Sequence, residues 1–269
     1  MFAYHDVGVR CLRVLLESGV KVPLVITHRD DPAEAIWFAS VAELARKSGI
    51  ETLQDPQELH IPQADFIFSF YYRRMLPLAV LNHATRGAFN MHGSLLPKYR
   101  GRAPVNWAII HGETETGATL HEMTAKPDAG RIVDQERVPI GPDDTAVEVF
   151  RKVTDAAETV LRRSIGNLLS GKFVLKPQDL SKGSYFGGRK PEDGRIDWSK
   201  SAWEIHNLVR ALAPPYPGAF TKGLRINKTE LEIQAAAAGK IGPFQHNGQW
   251  FAACGDGKVL RLLEVIAEK

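Results

Sequence analysis

The sequence predicts an α/β protein, with a parallel sheet covered by helices and a small β-rich module after it. Three observations carry this expectation. Strand-length apolar runs alternate with helical periods closed by glycine, a Gly, Pro and charge-rich stretch interrupts the chain at 176–197, and the segments beyond it are short and alternating. The 269 residues suit one large domain or two modest ones, and 24% charged with 44% hydrophobic residues is ordinary for a globular chain.

Each element follows from local pattern. "FAY" begins at the second residue, so the first strand is expected to be short. "VGVRCLRVLLESGV" has the period of an amphipathic helix ending at Gly19, and "VPLVITH" reads as a strand. A helix is expected in "AIWFASVAELARKSGI" and a buried strand in "ADFIFSFYY". "AVLNHATRGAFNMHG" repeats helix, glycine turn and strand, which puts Asn90 and His92 at the carboxyl end of a strand, where open parallel sheets bind ligands. Next come a helix in "APVNWAIIHGE", strands in "GATLHEMT" and "GRIVDQERVPI", and a long helix stopped by Gly171. The expected division is residues 1–176, a linker at 177–197 whose aromatics should lie against something, and a module at 198–269. In that module a proline-terminated helix, "SAWEIHNLVRALAPPYPGAF", precedes "LRINKTELEIQ" and "QWFAACGDGKVLRLLEVI".

Several function classes lose support. A net charge of +3 is too small to imply nucleic acid by itself. Cys11 and Cys254 make neither a disulfide framework nor a zinc motif, and both are expected to be reduced. No apolar run approaches the roughly 20 residues of a spanning helix, and "MFAYHDVGVRC" lacks the features of a signal peptide; the expectation is a cytoplasmic protein without membrane insertion. There is no P-loop, no dinucleotide fingerprint and no close metal-ligand spacing, so no metal is expected.

The stretch "FNMHGSLLPKYRGRAPVNW" concentrates chemistry. Acyl transfer to an amine needs a donor for the developing oxyanion and a base near neutrality, roles suited to Asn and His. Asn90 and His92, as i and i+2 on a strand, project to one side. They could equally satisfy backbone groups in a tight turn. "KPDAG" supplies Asp128 in a loop between two predicted strands, either to orient an imidazole or as a turn residue. Lys98, Arg100 and Arg102 form a basic loop that could meet phosphate or carboxylate. The other eight histidines, His121 among them, lack a local arrangement that dictates a role.

These residues resemble the signature of the folate-dependent formyltransferases, an Asn, one residue, then His-Gly-Ser-Leu-Leu-Pro, with a matching "DAG" loop. Within that family the likeness is nearest to the formyltransferase half of the bifunctional enzymes that modify UDP-4-amino-4-deoxy-L-arabinose. It runs through "FAYHD", "FSFYYR", "HGETETG", "KPDAG", "RKPEDGRIDW" and "PPYPGAF", to about Phe220. The resemblance implies a Rossmann-like formyltransferase domain followed by a small β-rich, OB-like one, with 10-formyltetrahydrofolate as the donor. It implies that Asn90 steadies the oxyanion, His92 moves the proton, and Asp128 holds His92 and assists. It further implies folate contacts from Arg74, Met75 and Leu76, from Thr124, Ala125, Lys126 and Pro127, and from Arg102.

The acceptor this suggests is UDP-4-amino-4-deoxy-L-arabinose, which would connect the chain to lipid A modification and polymyxin resistance. The bifunctional relatives carry a decarboxylase domain after this one. The chain stops at Lys269, so that activity is expected to be absent or on another polypeptide. Methionyl-tRNA formyltransferase is the alternative within the enzyme class, and another nucleotide-linked amino sugar is a second acceptor. tRNA binding would need a cationic C-terminal module, where "TELEIQ" and "EVIAEK" stand instead. A non-catalytic folate- or nucleotide-binding module is the reading from another class, distinguished by turnover. A homo-oligomer is as compatible with the sequence as a monomer.

Overall fold

β1 (Phe2–Ala3) is a two-residue strand followed closely by α1 (His5–Glu17). Helix α1 buries Val7, Cys11, Leu12, Val14 and Leu15 along one face, the stripe that its 3.6-residue period lays out. Next are β2 (Leu24–Thr27) and α2 (Val41–Lys47). The helix expected from Ala35 onward begins only at Val41, because the Ser40 side chain accepts the Glu43 backbone N–H and caps it there. Trp37 and Phe38, ahead of the cap, pack their rings on His5 instead.

β3 (Glu51–Gln54) was not legible in the sequence; it is followed by β4 (Ala64–Phe70), α3 (Leu78–Leu81) and β5 (Ala84–His92). After β5 come β6 (Arg100–Gly101), α4 (Pro104–Ile110), β7 (Glu115–Glu122), β8 (Ile132–Pro139) and α5 (Ala146–Ser170). The central sheet has the order β3-β2-β1-β4-β5-β7-β8. β1 to β5 pair in parallel, whereas β7 runs antiparallel to β5, so the sheet is parallel-dominated and not wholly parallel. One apolar cluster joins Phe2, Leu24, Ile26, Ile67, Leu76, Val80 and Leu81, with Ala88 and Met123 packed against them.

In the predicted linker the aromatics do have a partner. β9 (Tyr185–Phe186) pairs in parallel with β6, and Tyr99 stacks on Phe186 with centroids 5.4 Å apart. α6 (Ala202–Ala211) opens with a reciprocal Ser201–Glu204 capping box. The last sheet, antiparallel in the order β10-β11-β14-β13-β12, comprises β10 (Ala219–Thr221), β11 (Leu224–Ala235), β12 (Gly242–His246), β13 (Gln249–Ala253) and β14 (Lys258–Ala267). Its core takes Ile205 and Val209 of α6 together with Ile226, Ala252, Leu260 and Leu262.

This computed structural model describes residues 1–58, 60–235 and 241–267, so the end of "EVIAEK" lies outside the described residues. Two compact units divide the chain, Met1–Gly101 with Thr116–Val138 and Arg151–Phe186, and Arg102–Glu115 with Pro139–Phe150 and Gly187–Lys269. The units therefore interleave along the chain. Cys11 and Cys254 are buried free thiols. Among the described residues no helix is long and apolar enough to cross a membrane.

Candidate active site

Register brings the first two candidates to a third residue. In the β5–β7 pair Asn90 stands opposite His121 and His92 opposite Thr119. The Asn90 Nδ2 lies 3.2 Å from the His121 Nε2. His92 and His121 are 6% and 1% exposed, and their rings meet edge to face with centroids 6.4 Å apart.

Asp128 enters from the loop between β7 and β8. Its backbone has φ +50, a left-handed conformation that Asp tolerates better than most residues. The loop is fastened at both ends. Gln178 Nε2 donates to the carbonyls of Asp128 (3.1 Å) and Gly130 (2.5 Å). Gly130 lies so close to β7 that a Cβ there would stand 2.0 Å from the Glu122 carbonyl oxygen. Fixed in this way, Asp128 Oδ1 lies 3.4 Å from His121 Nε2 and 3.6 Å from His92 Nδ1, while Oδ2 accepts the Gly101 backbone N–H at 2.9 Å.

Burial alone would raise the Asp128 pKa. The charge of His92, the hydrogen bond and charge of His121, and the Gly101 N–H outweigh it and hold the carboxyl well below the usual carboxylate range. Asp128 is thus ionised at neutral pH. The outer imidazole nitrogens define the tautomers, because a carbonyl can only accept. His92 Nε2 donates to the Tyr99 carbonyl at 2.7 Å, and His121 Nδ1 donates to the Glu122 carbonyl at 2.7 Å. The remaining nitrogen of each ring faces the Asp128 carboxylate.

The segment after His92 has its own supports. Ser94 Oγ donates to the Lys98 carbonyl (2.7 Å), Thr119 Oγ1 donates to the Ser94 carbonyl (2.6 Å), and Gln135 Nε2 donates to the Leu96 carbonyl (2.9 Å). Ser94, Thr119 and Gln135 thus share the backbone carbonyls of this segment with His92, which takes that of Tyr99. Gly101, at φ +99, is the other glycine the site needs: a Cβ there would stand 2.1 Å from the Phe186 carbonyl oxygen.

The other predicted residues fall into two groups. Arg74, Met75 and Leu76 follow β4: Arg74 pairs with Asp55 at 2.9 Å, Met75 is 62% exposed, and Leu76 is buried in the cluster that also holds Ala88 and Met123. Met123 immediately precedes the exposed Thr124, Ala125 and Lys126 and the half-buried Pro127. The backbone just ahead of this first segment is held by His28, with the Arg73 N–H donating to His28 Nε2 (3.1 Å) and His28 Nδ1 2.8 Å from Asp55 Oδ1. Arg102 is the first residue of the second compact unit, where its side chain runs beside Gly188.

His121 and Gln178 join this cluster without having been singled out in the sequence. A histidine on the alternating strand that leads into the "DAG" loop was the available signal for His121. Gln178 had none, since 50 residues separate it from Asp128. Among the described residues no group of three or more His, Cys, Asp or Glu side chains is placed to hold a metal ion.

The family model described as "Formyl transferase" matches residues 15–165, and that described as "Formyl transferase, C-terminal domain" matches residues 189–269. Among solved structures, the N-formyltransferase of Helicobacter canadensis in complex with folinic acid and dTDP-3-aminofucose is 24% identical over 97% of each chain, with a TM-score of 0.82. WlaRD, a sugar 3N-formyl transferase solved with dTDP and 5-N-formyl-THF, is 23% identical over 97% of this chain and 96% of that one, with a TM-score of 0.80. HypX from Aquifex aeolicus, in complex with tetrahydrofolic acid, is 19% identical over 100% of this chain and 44% of its own, with a TM-score of 0.65. At these identities the likeness is one of fold.

Proposed function

Because the chain belongs to the formyl transferase family, we propose that it is an N-formyltransferase carrying the formyl group of 10-formyltetrahydrofolate to the amine of a nucleotide-linked sugar, with UDP-4-amino-4-deoxy-L-arabinose as the acceptor. The observation that carries the reading is the ionised Asp128 carboxylate between two imidazoles, next to the Asn90 amide. Acceptors of this class are supported by two similar structures, one an N-formyltransferase in complex with dTDP-3-aminofucose and the other a sugar 3N-formyl transferase solved with dTDP.

The amine nitrogen attacks the formyl carbon, and the carbonyl electron pair moves to oxygen. The Asn90 amide, set by its contact with His121, donates an N–H to that oxyanion. Protonated His92 is the other donor, exchanging its bond to the Tyr99 carbonyl for the substrate oxygen. As the carbonyl re-forms, the C–N10 bond breaks, N10 keeps the electron pair, and the proton given up by the amine is passed to it through His92 and Asp128. Arg74, Met75, Leu76, Arg102 and Thr124 to Pro127 hold the folate in this reading. Residues 1–176 form its catalytic domain, 177–197 the connector and 198–269 the small module. The enzyme is cytoplasmic, and its product serves lipid A modification.

The test is to supply 10-formyltetrahydrofolate with UDP-4-amino-4-deoxy-L-arabinose, with dTDP-linked 3- and 4-amino sugars, or with Met-tRNA, and to follow tetrahydrofolate release and acceptor mass. Formylation of the UDP sugar that vanishes in His92→Ala supports the proposal. Product with another acceptor alone replaces the substrate, and uptake of folate without tetrahydrofolate release under any condition overturns the proposal.

A further inference from the structure

Arg100 is 8% exposed, its Nε is buried with no hydrogen-bond partner, and no carboxylate among the described residues pairs with its guanidinium. A guanidinium keeps its charge in a protein, so it cannot relieve burial by losing its proton. Buried charges are otherwise paired or bound to a ligand. The contrast with Arg210 is direct. At 4% exposed, that residue spends its donors on Asn207 Oδ1 (2.9 Å) and on the carbonyls of Gly141 (3.0 Å) and Asp144 (2.8 Å).

We propose that Arg100 binds the diphosphate of the acceptor, an inference that rests on the nucleotide-linked reading above. The planar fork of Arg fits phosphate or carboxylate oxygens. Each proposed substrate brings such an anion, the diphosphate of the acceptor and the glutamate carboxylates of the folate. Arg100 is tied to the reacting centre on both sides, through the Tyr99 carbonyl on His92 (2.7 Å) and the Gly101 N–H on Asp128 (2.9 Å). In the acceptor only the sugar ring separates the amine from the first phosphate. In the folate a benzoyl ring and an amide lie between N10 and the glutamate. The nearer anion is the diphosphate. Tyr185, opposite Arg100 in the β6–β9 register and 57% exposed, offers an aromatic face beside it.

The test compares the full chain with Arg100→Gln and Arg100→Met by calorimetric titration of UDP, dTDP, inorganic pyrophosphate, uridine and 5-formyltetrahydrofolate. Loss of a charge-assisted fork predicts about 10–100-fold weaker binding of the diphosphates, with uridine and folate affinities unchanged. In turnover assays KM for the nucleotide sugar should rise with little change in kcat. The ligand-free Arg100→Met protein should melt at or above the wild-type temperature, because a buried unpaired charge has been removed. Undiminished diphosphate binding in the variants, or no diphosphate binding by the wild type, overturns the inference. Weakened folate binding in its place assigns Arg100 to the glutamate carboxylates and overturns it as well. A lower melting temperature with uniform loss of all ligands makes Arg100 structural. Failure to formylate any nucleotide sugar would sink the acceptor reading separately, since the pyrophosphate titration does not depend on turnover.

Discussion

Asn90 and His121 face each other across the antiparallel β5–β7 pair, with Asn90 Nδ2 3.2 Å from His121 Nε2. The contact orients the amide that the proposed chemistry needs as a donor. Because His121 also lies 3.4 Å from Asp128, one imidazole joins the proposed oxyanion donor to the carboxylate. Asn90→Ala is expected to lower kcat by about 10²–10³-fold with the fold intact. His121→Ala should cost about 10²-fold through misplacement of Asn90 and Asp128, with folate affinity preserved. The double variant should lose little more than Asn90→Ala alone, and additive losses in steady-state kinetics would separate the two residues.

Asp128 ties stability to acid. Its carboxyl is held below its unfolded range, so the stability it contributes is complete above about pH 4 and is lost as pH falls through the folded value. In Asp128→Asn, denaturant unfolding should show lower stability near neutrality and a flatter pH dependence below about pH 4. An unchanged acid limb would mean that the carboxylate is not stabilised by its imidazole partners.

His5 acts with the same sign over a higher pH window. It is 3% exposed, its Nδ1 accepts the Asp6 backbone N–H at 2.9 Å, and burial, aided by the Arg73 charge, lowers its pKa to about 3. Between about pH 3 and 6.5 the unfolded chain binds the proton that the folded chain refuses, so stability should rise with pH across that window. His5→Asn keeps a residue that tolerates the local φ of +64 and should remove this rise, as read from melting temperatures at stepped pH.

Gln178 and Gly101 hold Asp128 without taking part in the chemistry. Gln178→Leu strips donors from the Asp128 and Gly130 carbonyls and should cost about 1–3 kcal/mol in chemical denaturation, with a fall in kcat. Gly101→Ala sets a Cβ at φ +99 against the Phe186 carbonyl, and should cost about 1–3 kcal/mol while displacing the N–H that binds Asp128. A Gly101→Ala protein with native stability and full turnover would show that the β6–β9 ribbon can shift without consequence.

Much of this was legible along the chain because it depends on local period and punctuation. The stripe of α1, the long α5 stopped by Gly171 and the strand that carries Asn90 and His92 follow from residues a few positions apart. So did the family, since the motif around His92 is contiguous. The start of α2 was misplaced because Ser40 capping competes with the apolar run "AIWFA", and the rings of Trp37 and Phe38 find His5 instead.

The sequence by itself determined the alternation of strands and helices, the Asn90–His92 pair and the candidate Asp128, because each is written in neighbouring residues. Only the tertiary structure decided that β7 runs antiparallel to β5, that His121 therefore lies between Asn90 and Asp128, that Gln178 fastens the Asp128 loop from 50 residues away, and that the Arg100 Nε is buried without a partner among the described residues. The physical reason is common to all four. Strand direction, register and burial are properties of contacts between segments distant along the chain, and no local period encodes which distant group a side chain will meet.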